Sequence, residues 1–165
     1  MITKHWNGSI YSITAQECQR KSEEKIKNLS DEELNDFYQT CLIPKYYPNV
    51  VAELKDKKND GYLVYICSAS IEGYLRFCDL PVDGILGTKT EVIGGKYTSR
   101  MIGNNCKNEE KVTRLTAVIA KLGVEIDYEN SYAYSDSMHD IPMLKMVKNR
   151  ICLLYTSELP TNSLV

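Results

Sequence analysis

Two carboxylates, Asp136 and Asp140, stand close together in the stretch Ser131-Tyr-Ala-Tyr-Ser-Asp-Ser-Met-His-Asp-Ile-Pro-Met-Leu144. The aromatic and apolar run Tyr132 to Tyr134 gives way to Ser135-Asp136-Ser137, which predicts a buried strand ending in an acidic turn. Open α/β sheets hold their ligands at the carboxyl ends of strands. A hard cation such as Mg²⁺ takes oxygen ligands in such a place, usually one or two carboxylates plus substrate phosphate. A purely structural reading fits the same residues. Asp140 before Ile141-Pro142 is a suitable N-cap, and Asp136 an ordinary turn residue.

Two further groups could join this chemistry. Leu63-Val-Tyr-Ile-Cys67 is a continuous apolar run, the pattern of a strand buried on both faces and therefore of a parallel sheet with helices packed over it. It ends in Ser68-Ala69-Ser70, ahead of a helix predicted through Ile71, Tyr74 and Leu75. Backbone amides at a helix start bind anions, and a neighbouring hydroxyl adds a hydrogen bond. Ser70 serves as the N-cap in this reading, which leaves Ser68 at the strand tip as the functional candidate. Lys111 falls in the first turn of another helix, capped by Asn108, with Val112, Leu115, Ile119 and Leu122 at helical spacing and Gly123 as terminator. The helix dipole favours Glu109 and Glu110 there and disfavours a cation. Lys111 therefore implies either a compensating anion or a solvated side chain. A serine at one strand tip, a lysine opening a later helix and two acids after another strand are parts that phosphoryl chemistry needs.

The remaining elements must position these groups. Thr14-Ala-Gln-Glu17 and Ser30-Asp-Glu-Glu33 both match the capping box and predict helices over about 15–28 and about 31–41. Pro44 and Pro48 mark a boundary, after which Val50, Val51 and Leu54 share a face of a helix over about 49–58. Asp60-Gly61 is a turn. Ile85 to Val92, the Gly94-Gly95 turn and Lys96 to Met101 read as a structural hairpin. No apolar strand is expected before residue 60.

The length of 165 residues fits one domain, or a domain with a small appendage. A net charge of -2 with both signs interspersed argues against nucleic acid or an anionic membrane as partner. The six cysteines (18, 41, 67, 78, 106 and 152) form no Cys-x-x-Cys pair and read as reduced thiols of a cytoplasmic protein; Cys67, in its apolar run, reads as a small hydrophobe. No apolar stretch reaches transmembrane length, and the polar N-terminus does not read as a signal peptide.

Four stretches together resemble the haloacid dehalogenase superfamily, in its phosphoserine-phosphatase-like branch: Tyr65-Ile-Cys-Ser-Ala-Ser70, Gly94-Gly-Lys-Tyr97, Cys106-Lys-Asn-Glu-Glu-Lys111 and Tyr134-Ser-Asp-Ser-Met-His-Asp-Ile-Pro-Met-Leu144. They cover about residues 46–150 in the family's order, each weak alone and jointly specific. The resemblance implies an α/β, three-layer Rossmann-like core and Mg²⁺-dependent hydrolysis of a small phosphomonoester through an aspartyl-phosphate. By the same resemblance Ser68, aided by the Ala69 amide, binds phosphate, and Lys111 holds the nucleophile and phosphate charges. Asp136 ligates Mg²⁺, while Asp140 fixes the metal's water or the lysine. Two departures are mild. Asn108 stands where relatives often have Gly, and His139 where phosphoserine phosphatases have Asn, which weakens phosphoserine as the substrate; a neutral His139 could still donate to phosphate, and the alternative is an exposed loop residue.

The third departure is larger. The family's nucleophile belongs to an Asp-x-Asp motif after an N-terminal strand, and these 165 residues contain no Asp-x-Asp. The expectation is therefore a parallel sheet missing its first strand, with residues 1–45 as a partial helical cap, 46–153 as the hydrolase core and 154–165 as a non-native or disordered tail. On this reading Met1 is an internal methionine or the start of an incomplete gene model, and the chain itself is inactive. The missing strand belongs between the strands bearing Ser68 and Asp136, so its loss leaves two edges facing a gap. A rival reading is a non-catalytic phosphate-binding or regulatory protein. A generic nucleotide-binding domain lacks its Gly-x-Gly-x-x-Gly fingerprint here.

Overall fold

The structure, a computed structural model, describes residues 2–6 and 28–153. The Thr14 capping box, its helix and the tail from residue 154 lie outside the described residues. The core is a parallel sheet between helices. Strand β1 (Ile2–Trp6) pairs in parallel with β2 (Leu63–Ile71), and β2 pairs in parallel with β3 (Gly84–Ile93). β3 turns back antiparallel into β4 (Lys96–Ile102). β5 (Tyr132–Ser135) and β6 (Asn149–Cys152) form a second parallel pair, and β1 also lies against β5.

That last contact corrects an expectation. A strand does precede residue 60, and it occupies the place beside β2 and β5 where a gap was foreseen. Ile-Thr-Lys-His-Trp is short and mostly polar, so it carries none of the continuous apolar signal that marked β2. The family's acidic motif does not come with it.

Helices cover both faces, and β2 shows why. Its alternating side chains serve two cores. Tyr65 and Cys67 pack with Leu115 of helix α4 (Glu109–Leu122) and with Met143 of α5 (Ile141–Leu144). Ile66 points the other way, toward Tyr134 and toward Val50 of α2 (Pro48–Asn59). Three layers follow directly from one strand buried on both sides.

A third cluster joins α1 (Asp31–Phe37) to the sheet's far end. Leu34, Tyr38 and Leu42 pack on Tyr74, Leu75 and Tyr97. The Ser30 capping box is formed: the Glu33 amide donates to Ser30 Oγ at 3.3 Å, and the Ser30 amide donates to the Glu33 carboxylate at 2.8 Å. After α1 the coil widens to a π turn over Tyr38–Leu42, where one continuous helix was predicted. Ahead of α1, the Asn28 amide donates to the Tyr97 carbonyl and the Tyr97 amide to that of Leu29, so this segment pairs with β4. Gly94 and Gly95 close the hairpin with φ of 58° and 76°, the doubled positive φ that suits a tight two-residue turn.

Candidate active site

At the end of β2 the ladder breaks. Cys67 pairs with Leu86 and Ile71 with Thr88, so the residues between them form an irregularity in register. Bulges of this kind re-aim side chains beside functional sites. Ser68, 1 % exposed, uses its Oγ to accept from the Ser70 amide at 3.1 Å. The helix expected to open at Ser70 is shorter and later than predicted. α3 spans only Glu72–Leu75, and its N-cap is Ile71, not Ser70. Ser70 stays in the strand because β2 continues to Ile71.

Thr88 anchors this bulge. Its hydroxyl, 2 % exposed, donates to the Ala69 carbonyl at 2.8 Å and accepts from the Cys106 amide at 3.1 Å. The segment bearing Ser68 is thereby tied to the loop that leads into α4. Arg114 holds the same loop from the helix side. Its guanidinium pairs with Glu110 at 2.9 Å, donates to the Asn104 carbonyl at 2.7 Å and reaches the Gly87 carbonyl.

Lys111 sits in the first turn of α4, its amide bonded to the Asn108 carbonyl at 3.2 Å. The solvated alternative does not hold: the side chain is 1 % exposed and its ammonium lies 2.6 Å from Asp140 Oδ1. Asn108 occupies the N-cap, but with φ 50° and ψ -131° and no side-chain capping bond. Its backbone lies in a region where glycine is comfortable.

The Asp140 carboxylate also does something other than capping. It begins α5 without a side-chain cap bond, accepting instead from Lys111 and, at Oδ2, from the Ser135 hydroxyl at 2.7 Å. Ser135 Oγ in turn accepts from the Ser137 amide at 3.0 Å. No role was expected for Ser135 or Thr88: Thr88 lies at a strand position with no local motif to mark it, and Ser135, though within the acidic stretch, gives no sign in sequence that its hydroxyl meets Asp140.

Asp136 follows β5 and has a buried carboxylate oxygen, Oδ1, with no hydrogen-bond partner. Burial pushes its pKa up to about 6; its own backbone lowers it, Asp140 adds to the rise and Lys111 opposes it. Asp136 therefore lies within electrostatic reach of the buried pair. Cys67, the residue before Ser68, feels Lys111 and Asp140 as well, which brings the end of β2 to the same region. His139 is exposed and contributes only its amide, to Ser137 Oγ at 3.2 Å.

An unpartnered, buried carboxylate oxygen on Asp136, beside a second carboxylate, fits a cation that takes one or two protein carboxylates and completes its shell with phosphate and water. Among the described residues no group of three or more His, Cys, Asp and Glu side chains is placed to hold a metal. Among those residues, too, no helix is long and apolar enough to cross a membrane.

Comparison with known proteins gives concordant results. Residues 9–145 match the family described as haloacid dehalogenase-like hydrolase. The chain is 30% identical over 142 residues to a histidinol-phosphatase of Neisseria meningitidis, covering 81% of this chain and 64% of that protein. It thus spans somewhat less than two thirds of that relative. A Bordetella pertussis protein of unknown function superposes with a TM-score of 0.67 at 25% identity, over 85% of this chain and 66% of the other. A substrate-bound phosphoserine phosphatase superposes with a TM-score of 0.63 at 22% identity, over 83% and 63% of the two chains, a likeness of fold.

Proposed function

Because the chain belongs to the haloacid dehalogenase-like hydrolases, we propose that its residues form the phosphate- and Mg²⁺-binding half of a phosphomonoesterase site. The observation that carries this reading is the buried Lys111–Asp140 pair at 2.6 Å beside the unpartnered oxygen of Asp136. A lysine buried this deeply needs anions around it. Asp140 supplies one, and a phosphate bound at the strand ends would supply the second.

In this reading Ser68 and the Ala69 amide orient the phosphate. Lys111 stabilises negative charge on it. Asp140, already engaged by Lys111 and Ser135, holds the ammonium in position and touches the metal's water at most. Asp136 ligates the metal directly. Mg²⁺, when bound there, neutralises charge on the phosphate oxygens. Residues 31–45 serve as part of a helical cap, β1 joins residues 46–153 in the core, and the substrate class is a small phosphomonoester of the kind on which a histidinol-phosphatase or a phosphoserine phosphatase acts. A cytoplasmic protein fits this chemistry.

Covalent turnover needs a nucleophile, which the family takes from Asp-x-Asp, and the 165 residues contain none. This favours, for these residues alone, phosphate binding without turnover. Calorimetry with inorganic phosphate and Mg²⁺ tests the reading. Wild type should bind phosphate and Lys111→Met should not, while an aryl phosphate stays unhydrolysed. A folded chain that binds no phosphate, or one that turns over the aryl phosphate, overturns it.

A further inference from the structure

Beneath the phosphate-binding segment lie two thiols with no part in the chemistry above. Cys67 and Cys106 are both 0 % exposed, and their sulfurs stand 3.6 Å apart across a sequence separation of 39 residues. Cys67 immediately precedes Ser68, and Cys106 opens the loop that enters the turn of Lys111. We propose that Cys67 and Cys106 are a disulfide-forming site, closed by a peroxide and reopened by a thiol, whose closure disturbs the neighbouring Ser68 and Lys111 segments. The disulfide site stands on the geometry of the pair. Its effect on phosphate rests on the function proposed above.

The pair is already oriented for the reaction. Cys106 Sγ donates to the Leu86 carbonyl at 3.4 Å, so the S–H between the two sulfurs belongs to Cys67. That bond lowers the pKa of Cys106, against the cost of burial and with help from the charges of Arg114 and Lys111. Cys67 is pushed the opposite way, first by the same bond and then by burial. Cys106 is thus the attacking thiolate and Cys67 the resolving thiol.

The chemistry balances with hydrogen peroxide as oxidant. The Cys106 thiolate attacks one peroxide oxygen; an S–O bond forms, the O–O bond breaks, and the departing hydroxide leaves as water with the proton Cys106 had released. The Cys67 sulfur then attacks the sulfenic sulfur. The S–S bond forms, the S–O bond breaks, and the hydroxide takes the Cys67 proton as a second water. Two thiols lose two electrons and one peroxide gains them. A dithiol reverses the bond by exchange.

Closing the sulfurs to a bond of about 2.05 Å requires a shift of roughly 1.5 Å. Cys67 is paired to Leu86 in the middle of the sheet and cannot follow. Cys106 lies in a loop, its amide held by Thr88 Oγ1. The displacement therefore falls on that bond and on the loop up to Asn108, whose carbonyl sets the turn containing Lys111.

The test uses the whole 165-residue chain, reduced and then treated with hydrogen peroxide, alkylated and mapped by peptide mass. The expected product is a linked peptide pair containing Cys67 and Cys106, short of two hydrogens and lost on treatment with dithiothreitol. Inorganic phosphate binding with Mg²⁺, followed in parallel, should weaken at least about tenfold on oxidation and recover on reduction, as a misplacement of about 1 Å implies. Cys106→Ala should bind phosphate with no response to peroxide. The proposal falls if Cys67 and Cys106 remain alkylatable after the exposed Cys152 is fully oxidised, or if they link to other cysteines. A linked pair with unchanged phosphate affinity also overturns the coupling. If the reduced chain binds no phosphate while the link forms, the phosphate site is refuted and the thiol pair stands.

Discussion

Lys111 and Asp140 form an ion pair 2.6 Å apart with both side chains 1 % exposed, bridging the start of α4 and the start of α5. Neither ion has bulk water to solvate it, so each depends on the other; Ser135 adds a hydrogen bond to the acid. Removing one member of such a pair typically costs about 3–5 kcal/mol, because the other is left charged and buried. Lys111→Met and Asp140→Leu should each destabilise by that amount, measured as urea unfolding midpoints. The double variant should recover most of the loss, and it should still fail to bind phosphate. Additive losses would mean that packing, not charge, sets the cost.

The elevated pKa of Asp136 has a defined consequence for stability. Its folded-state value of about 6 lies above the ordinary carboxylate value, so the native state holds the proton more tightly than the unfolded chain. This group's contribution therefore favours folding at low pH and is lost as pH rises from about 4 through about 6. Other carboxylates, such as Glu110 beside Arg114, are held below their usual range and act in the opposite direction. The comparison must be with Asp136→Asn. Measured thermal midpoints without Mg²⁺ should show wild type losing ground to the variant between about pH 4 and about pH 7. Added Mg²⁺ should restore wild type alone.

Thr88 makes its bonds across the two segments that bear Ser68 and Lys111, and Thr88→Val keeps its shape while deleting both. The buried Cys106 amide would be left unmatched, and the half-buried Ala69 carbonyl would lose this donor. The expected cost is about 1–3 kcal/mol for each unsatisfied group. Hydrogen exchange is the direct measurement: the Cys106 amide should exchange faster in the variant, well before global unfolding. Unchanged protection there would show that the loop is held by other contacts, such as Arg114.

What was legible in the sequence follows from the range of the interactions involved. β2 announced itself because both its faces are buried, and the Ser30 box because its two bonds span three residues. Lys111 and the two acids could be picked out by residue type and placement, but not their burial or which acid the lysine meets. β1 was invisible, since Ile2–Trp6 carries no apolar run and owes its place to the neighbouring strands. The bulge at Ser68, the bridge by Thr88 and the clamp by Arg114 depend on partners roughly twenty residues away or more in places where no local pattern distinguishes them. Cys67 read as a small hydrophobe, which its burial supports, but a single position could not reveal that Cys106 lies opposite.

The backbone of Asn108 stores strain that can be released. At φ 50° and ψ -131° it lies in a region costly for any residue with a Cβ, of order 1–3 kcal/mol. Its side chain makes no capping bond that would offset this. Asn108→Gly should relieve the strain, less the roughly 0.5–1 kcal/mol that glycine's extra freedom adds to the unfolded chain. A net gain of about 1 kcal/mol corresponds to a rise of about 2–4 °C in Tm for a chain of this size. Asn108→Ala, with the Cβ retained, should gain nothing. Because the Asn108 carbonyl accepts from the Lys111 amide, the glycine variant must also keep the Lys111–Asp140 pair buried, which a Lys111 labelling experiment with an amine-reactive reagent checks. A more stable protein in which Lys111 becomes reactive would show that the strained turn holds the lysine in place.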